Sequence, residues 1–282
     1  MHLRIRSQTA YHYDSEAIFS PHLVRLFPRQ DRYIDVVSAE FSTSPEALVY
    51  HQRDQFDNQV ARCVYQKPGQ HLEFNLDLEL NIQERSAFDF LVDLHAVHFP
   101  FHYRESEFQA LQPYLSQPGS EVVHHSQLLP TDSRLTTLEV LIQLNQNIFS
   151  QLRYERRDEG EAMLPAETLQ QGAGSCRDFS RLAASLLRNV GVAVRLVSGY
   201  LVEIDVPDAD RRSEGSLHAW LEAYIPGAGW LGMDPTNGIL TNHLFIPTAV
   251  GLHPNDIAPS PGTVSATSSS IPTSSLTIEL LA

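Results

Sequence analysis

Between Leu72 and Ile82 the chain alternates without a break. Leu72, Phe74, Leu76, Leu78, Leu80 and Ile82 are apolar, and Glu73, Asn75, Asp77, Glu79 and Asn81 between them are polar. A period of two sends one set to a core and the other to water, so the segment predicts a half-buried strand. Shorter strand patterns cover Leu3–Tyr13, Tyr33–Phe41, Leu48–Phe56 and Val60–Tyr65. Turn signals stand at Asp57-Asn58 and at Lys67-Pro68-Gly69. The second turn predicts that Val60–Tyr65 pairs with the strand that follows it. Several short strands with turns between them predict an antiparallel sandwich-like region over residues 1–115.

The period changes after residue 105. Glu107–Leu115 reads as a short helix, and Gln117-Pro118-Gly119-Ser120 interrupts the chain inside a linker expected at 116–130. Thr136 and Glu139 have capping-box spacing, and Leu138, Leu141, Ile142, Asn145, Ile148 and Phe149 then follow a helical period. Pro165 suits the first turn of another helix. In the segment Ser175–Val190, Phe179, Leu182, Ala183, Leu186, Leu187 and Val190 form one apolar stripe, and Gly191 is a stop signal. Strands are expected at Val192–Asp205, Leu217–Ile225 and Trp230–Met233, with a turn at Pro226-Gly227-Ala228-Gly229. A core is thus expected over 131–257. Residues 260–275 hold ten Ser or Thr, which predicts a loop over 258–275. Leu276–Leu280 alternates again, as a closing strand within 276–282. The order of elements is α+β, with no internal repeat.

Composition narrows the class. The chain has 282 residues, 42% hydrophobic and 19% charged, which is ordinary for a globular protein. Its net charge of −14 repels phosphate backbones and anionic bilayers, so neither nucleic acid nor a membrane surface is an expected partner. The two cysteines, Cys63 and Cys176, are too few for a disulfide framework. The start, Met1-His2-Leu3-Arg4-Ile5-Arg6, lacks the apolar run of a secretion signal, and no stretch approaches the roughly 20 apolar residues of a membrane span. A cytoplasmic location is the expectation.

Cys176 carries the most chemistry. In Gly172-Ala173-Gly174-Ser175-Cys176-Arg177-Asp178-Phe179 a glycine loop brings it to the first turn of the apolar-striped helix. Unpaired N–H groups there favour a thiolate and can donate to an oxyanion. A thiolate nucleophile needs a base and a group that orients the base. His218, in Leu217-His218-Ala219-Trp220, shares a strand face with Trp220, Glu222 and Tyr224. Asp234, in Met233-Asp234-Pro235-Thr236, ends the next strand. A hairpin turning near Gly227 can set Asp234 beside His218, leaving the other ring nitrogen for the thiol. Against this stands the plainer reading of a buried structural cysteine, one of 13 histidines and a turn aspartate. Cys63, inside a strand, reads as structural. His95, His98, His102, His124 and His125 lack the spacing of a regular metal site, so no metal is expected.

The three segments together resemble the transglutaminase-like superfamily. Gly174 to Ser180 resembles its nucleophile motif, Leu217–Trp220 its histidine motif, and Trp230–Thr236 its aspartate motif. Tyr11–Asp14, Ser20–His22, Phe99–Phe101 and Pro113–Leu115 resemble the N-terminal β region of its bacterial two-part members. The resemblance implies a papain-like α+β core, with Cys176, His218 and Asp234 as a catalytic triad that works without a cofactor. It implies a cysteine acyl-transfer enzyme: attack on a peptide or amide carbonyl, a thioester intermediate, and resolution by water or by an amine. Hydrolysis of a peptide or protein substrate is the expected outcome. Transamidation of glutamine side chains and a non-catalytic binding role are the alternatives. It also implies an upstream aromatic or amide side chain at the oxyanion. Tyr154, Gln170 and Gln171 all qualify, and Trp220 is expected to pack beside the site.

Overall fold

The computed structural model describes every residue except 117–118, 125–126, 131, 133, 158–159, 204–216, 266–272 and 282. The first 82 residues form six strands: β1 (His2–Phe19), β2 (His22–Val24), β3 (Ile34–Ser44), β4 (Ala47–Arg53), β5 (Gln59–Tyr65) and β6 (Gly69–Ile82). Then come α1 (Glu105–Leu115), α2 (Thr137–Gln151), β7 (Arg153–Tyr154), α3 (Pro165–Gln171), β8 (Ala173–Gly174) and α4 (Cys176–Asn189). The chain continues through β9 (Val194–Leu201), β10 (His218–Ile225), β11 (Gly229–Asp234), β12 (Ile239–Leu240) and β13 (Phe245–Gly251). It closes with β14 (Val264–Ser265) and β15 (Thr273–Leu280).

The alternation over Leu72–Ile82 does what its period requires. Leu72, Phe74, Leu76, Leu78, Leu80 and Ile82 are all buried, and β6 lies between β1 and β3. That position leaves it no free edge, which corrects the pairing expected across Lys67-Pro68-Gly69. β5 pairs instead with β2 and β4 in a second, three-stranded sheet. The turn therefore carries the chain from one layer to the other. Both layers close on one antiparallel core, in which Leu3, Ile5, Phe74 and Leu78 meet Val24, Ala61 and Cys63.

The second core is built on a five-stranded antiparallel sheet in the order β12-β11-β10-β9-β13. The stripe of α4 packs Phe179, Leu182, Leu186 and Leu187 against Leu196, Leu221, Ala223 and Met233 of that sheet. Ala96, Phe99 and Phe101 join the same cluster, although they precede the boundary expected at residue 115. The capping box of α2 is present: Thr136 N–H donates to Glu139 Oε2 at 2.7 Å and Glu139 N–H to Thr136 Oγ1 at 3.3 Å. Its buried face is rotated from the expected stripe, because Val140 and Leu144 turn inward while Phe149 is 47% exposed.

The Ser/Thr-rich segment is only partly a loop. Val264–Ser265 pairs with the end of β1, and the strand expected to start at Leu276 begins at Thr273. Residues 266–272, like residues 204–205 of the strand expected to end at Asp205, lie outside the described residues. No described helix is long and apolar enough to cross a membrane.

Candidate active site

Three element ends converge. Cys176 is the first residue of α4, His218 the first of β10 and Asp234 the last of β11. Antiparallel β10 and β11 pair Leu221 with Met233, so the start of one lies beside the end of the other. His218 Nε2 and Asp234 Oδ2 are 2.9 Å apart, and both side chains are fully buried. Asp234 is itself held: Oδ1 accepts from the Thr236 N–H at 2.9 Å and Oδ2 from the Asn237 amide at 2.7 Å. The other ring nitrogen, Nδ1, is buried and has no hydrogen bond of ordinary geometry. The ring lies close enough to the Cys176 thiol for each to shift the other's titration.

The electrostatics follow from burial and these neighbours. Burial opposes an imidazolium, but the Asp234 carboxylate, by charge and by hydrogen bond, outweighs it with the thiol's help. The His218 pKa is pushed up to about 10. Burial also opposes a thiolate at Cys176. Contact with His218, its charge, the Ala219 N–H and the charge of Arg177 overcome that, and the thiol pKa is lowered. For Asp234, burial opposes ionisation and His218 overrides it, with Asn237 and Thr236 assisting, so its pKa is lowered. Both shifts act in the direction of a thiolate–imidazolium pair.

Cys176 keeps partial solvent exposure, while His218 and Asp234 have none. Of the three residues, Cys176 is thus the one open to an approaching molecule. Among the described residues the Cys176 N–H makes no hydrogen bond, which leaves a donor aimed out of the helix start.

The segment before Cys176 is not the loose glycine loop that its composition suggests. β8 pairs with β7, setting Gly174 opposite Tyr154. Asp178, with no exposed surface, then clamps the turn. Its Oδ2 accepts from Ser175 N–H at 2.7 Å and from Ser175 Oγ at 2.8 Å. Its Oδ1 accepts from Met163 N–H and from Arg157 Nη2, each at 2.7 Å. The fit is tight enough to require Gly174, since an added Cβ would stand 2.8 Å from the Asp178 Cβ. Ser180 ties helix to sheet: its hydroxyl donates to the Cys176 carbonyl at 2.8 Å and reaches the Ala219 carbonyl at 3.2 Å. Sequence reasoning gave Asp178, Ser180 and Asn237 no role. Only Asp178 left a signal, because Ser175-x-x-Asp178 has capping-box form.

The oxyanion and pocket candidates separate in space. Tyr154 lies on β7 across from Gly174, and its ring is 6.5 Å from that of Phe179. Gln170 and Gln171 are exposed on the last turn of α3. Trp220 is buried. It stacks on His218 at 6.3 Å and 23°, and Phe245 lies 6.2 Å from the same imidazole. Gly199, opposite His218 in register, admits the Trp220 ring, which an added Cβ would meet at 2.7 Å. Cys63 is buried in β5, and burial pushes its pKa up to about 11. Among the described residues no group of three or more His, Cys, Asp or Glu could hold a metal ion, and His125 lies outside them.

Two family descriptions fit this arrangement. Residues 130–235 match the transglutaminase-like superfamily, and residues 3–81 match the bacterial transglutaminase-like N-terminal region. The chain carries a transglutaminase-like core behind a bacterial transglutaminase-like N-terminal region. An uncharacterised Mycobacterium leprae protein is 25% identical over 271 residues, 92% of each chain. An uncharacterised Mycobacterium tuberculosis protein is 33% identical over 132 residues, which span 45% of this chain and 42% of that one. In fold, the chain resembles a Cytophaga hutchinsonii structure named "Putative Cysteine Protease", with a TM-score of 0.72 and 16% identity, over 99% of this chain and 90% of that one. The transglutaminase-like core is thus an α+β, papain-like arrangement, a cysteine-bearing helix on an antiparallel sheet, with a β-rich region before it.

Proposed function

We propose that the protein is a thiol enzyme acting on peptide or amide carbonyls through a thioester. The observation that carries this reading is the Cys176 thiol beside an imidazole whose far nitrogen is held by buried Asp234 at 2.9 Å. The Cys176 thiolate adds to the carbonyl carbon, and the Cys176 N–H donates to the resulting oxyanion. The His218 imidazolium gives its proton to the departing amine as the C–N bond breaks, which leaves a thioester. Water then enters with neutral His218 as base, releasing the carboxylic acid and the free thiol. Asp234 holds the ring and its charge throughout.

Hydrolysis is the favoured outcome, and it makes the protein a peptidase or amidase. An amine in place of water would make it a transamidase, and the same groups serve both reactions. A cytoplasmic location is part of this proposal. The test is an activity probe carrying a thiol-reactive carbonyl, followed by a peptide-library screen with and without an added primary amine. Wild type should be labelled at Cys176 and should release acid. Amide product formed only with added amine selects the transamidase. An unlabelled Cys176 in folded protein removes the enzyme reading and leaves a binding role.

A further inference from the structure

The connection between β4 and β5 belongs to the N-terminal sandwich, yet its tip ends against the core. Asp54 closes the tip: Oδ1 accepts from the Phe56 and Asn58 N–H groups, each at 3.0 Å, and Oδ2 from the Asn58 amide at 3.0 Å. Asn58 is fully buried and pairs with β13 as a strand neighbour would. Its Nδ2 donates to the Val250 carbonyl and its Oδ1 accepts from the Val250 N–H, both at 2.8 Å. Arg29 fastens the same spot, donating to the Phe56 carbonyl at 3.0 Å and to Asn58 Oδ1 at 2.7 Å, while its own N–H donates to Pro247 at 2.8 Å.

These polar contacts set the half-buried Phe56 ring on a buried cluster of Val197, Leu201, Trp220, Phe245 and Val250. Trp220 and Phe245 are 5.4 Å apart, and both rings flank the His218 imidazole. A ring in a close-packed interior turns only if its neighbours give way. Removing Phe56 frees one side of the pair that sets the plane of the imidazole.

We propose that the Asp54–Asn58 hairpin tip is a positioning element for His218, with Phe56 closing the back of the Trp220–Phe245 wall. On this assignment the N-terminal sandwich helps fix the thiol–imidazole geometry of the core. The inference rests on the thiol-enzyme reading above. Titratable groups that act on His218 are Asp234 from β11 and Cys176 from α4, whereas Asp54 of the hairpin pairs with Arg25 at 3.3 Å and Asp57 with Arg53 at 3.1 Å.

The experiment follows iodoacetamide labelling of Cys176 against pH in the full chain, by mass spectrometry, with Cys63 as a reporter of folding. Phe56→Ala should move the profile to higher pH and slow labelling at about pH 6.5 by about three- to tenfold. Phe56→Tyr, which keeps the ring, should restore it. Phe41→Ala, beside Phe27 elsewhere in the same sandwich, should leave it unchanged. A Phe56→Ala profile that overlies wild type overturns the proposal, and so does an equal shift in Phe41→Ala. If Phe56→Ala exposes Cys63, Asn58→Ser is read instead: an upward shift supports the proposal and an unmoved profile overturns it. A wild-type Cys176 no more reactive than a free thiol removes the enzyme reading and this inference together. An activated wild type with unmoved variants removes this inference alone.

Discussion

The sandwich and the core treat the same residue types in opposite ways. Cys63 in the sandwich is buried among apolar neighbours, and its pKa rises to about 11. Cys176 in the core has an imidazole, a backbone N–H and an arginine around it, and its pKa falls. Charges divide less cleanly, since Arg25 and Asp54 of the sandwich also pair away from water, at 3.3 Å. On the outer face of the large sheet, Arg4 meets Asp77 at 2.7 Å and Arg6 meets Glu279 at 3.1 Å, with water on one side. In the core, His218, Asp234 and Asp178 are buried, and each carboxylate there is met by named donors. The outer face of a sheet that only has to be stable can leave its charges wet. Burying a charge costs several kcal/mol unless it is paired, roughly, and such sites are where chemistry is set up.

The sharpest way to test that contrast is to remove each sulfur in turn. Cys176→Ala should lower probe turnover by about 10³-fold or more, since no other nucleophile replaces it. Cys63→Ala should leave the rate constant per folded molecule unchanged and cost about 1–2 kcal/mol of stability, read from urea unfolding. Equal losses of turnover would erase the distinction between the two regions.

Asp178→Ala comes next. It leaves the Ser175 N–H and the Arg157 guanidinium without their buried acceptor, so the unfolding free energy should drop by about 3–5 kcal/mol. Labelling of Cys176 should slow as the nucleophile turn loosens. A drop below about 1 kcal/mol would mean that water replaces the carboxylate.

Proton linkage gives a smaller effect with a definite sign. The folded His218 pKa of about 10 lies above its ordinary value, so its contribution to stability is fully present below about pH 6.5 and is lost as pH rises through about 10. The stability difference between wild type and His218→Gln should therefore shrink over that window. Asp234, with its pKa lowered, contributes above about pH 4 and loses that contribution as pH falls through its folded value. Turnover should be bell-shaped, rising as the thiolate forms and falling as His218 loses its proton near about 10. A stability difference that widens with pH would reverse the assignment of His218 as the cation.

The smallest change is expected from Arg4→Ala. Its pair with Asp77 is half in water, so the unfolding midpoint should move only slightly and Cys176 labelling should not move at all. A clear loss of labelling would mean that the outer sheet face communicates with the site.

Local pattern was enough for the elements themselves. The alternation of β6, the capping box of α2 and the stripe of α4 each reflect one period and one buried face, which a chain segment carries in its own side chains. That Cys176, His218 and Asp234 would come together was likewise readable, because each sits in a short motif and the motifs come in a fixed order. What the sequence left open depends on contacts between distant segments. The partner of β5 follows from β6 having both edges occupied. The rotation of α2 follows from what packs against Val140 and Leu144. The clamp of Asp178 on residues 157 and 163, the tie from Ser180 to Ala219 and the docking of Asn58 on Val250 all join positions that share no local period. A hydrogen bond between such positions exists only once the sheets and helices have been brought together. The residue types proposed for the chemistry are therefore set by the sequence, and the pKa shifts that suit them to it are decided by the tertiary structure, through burial and proximity.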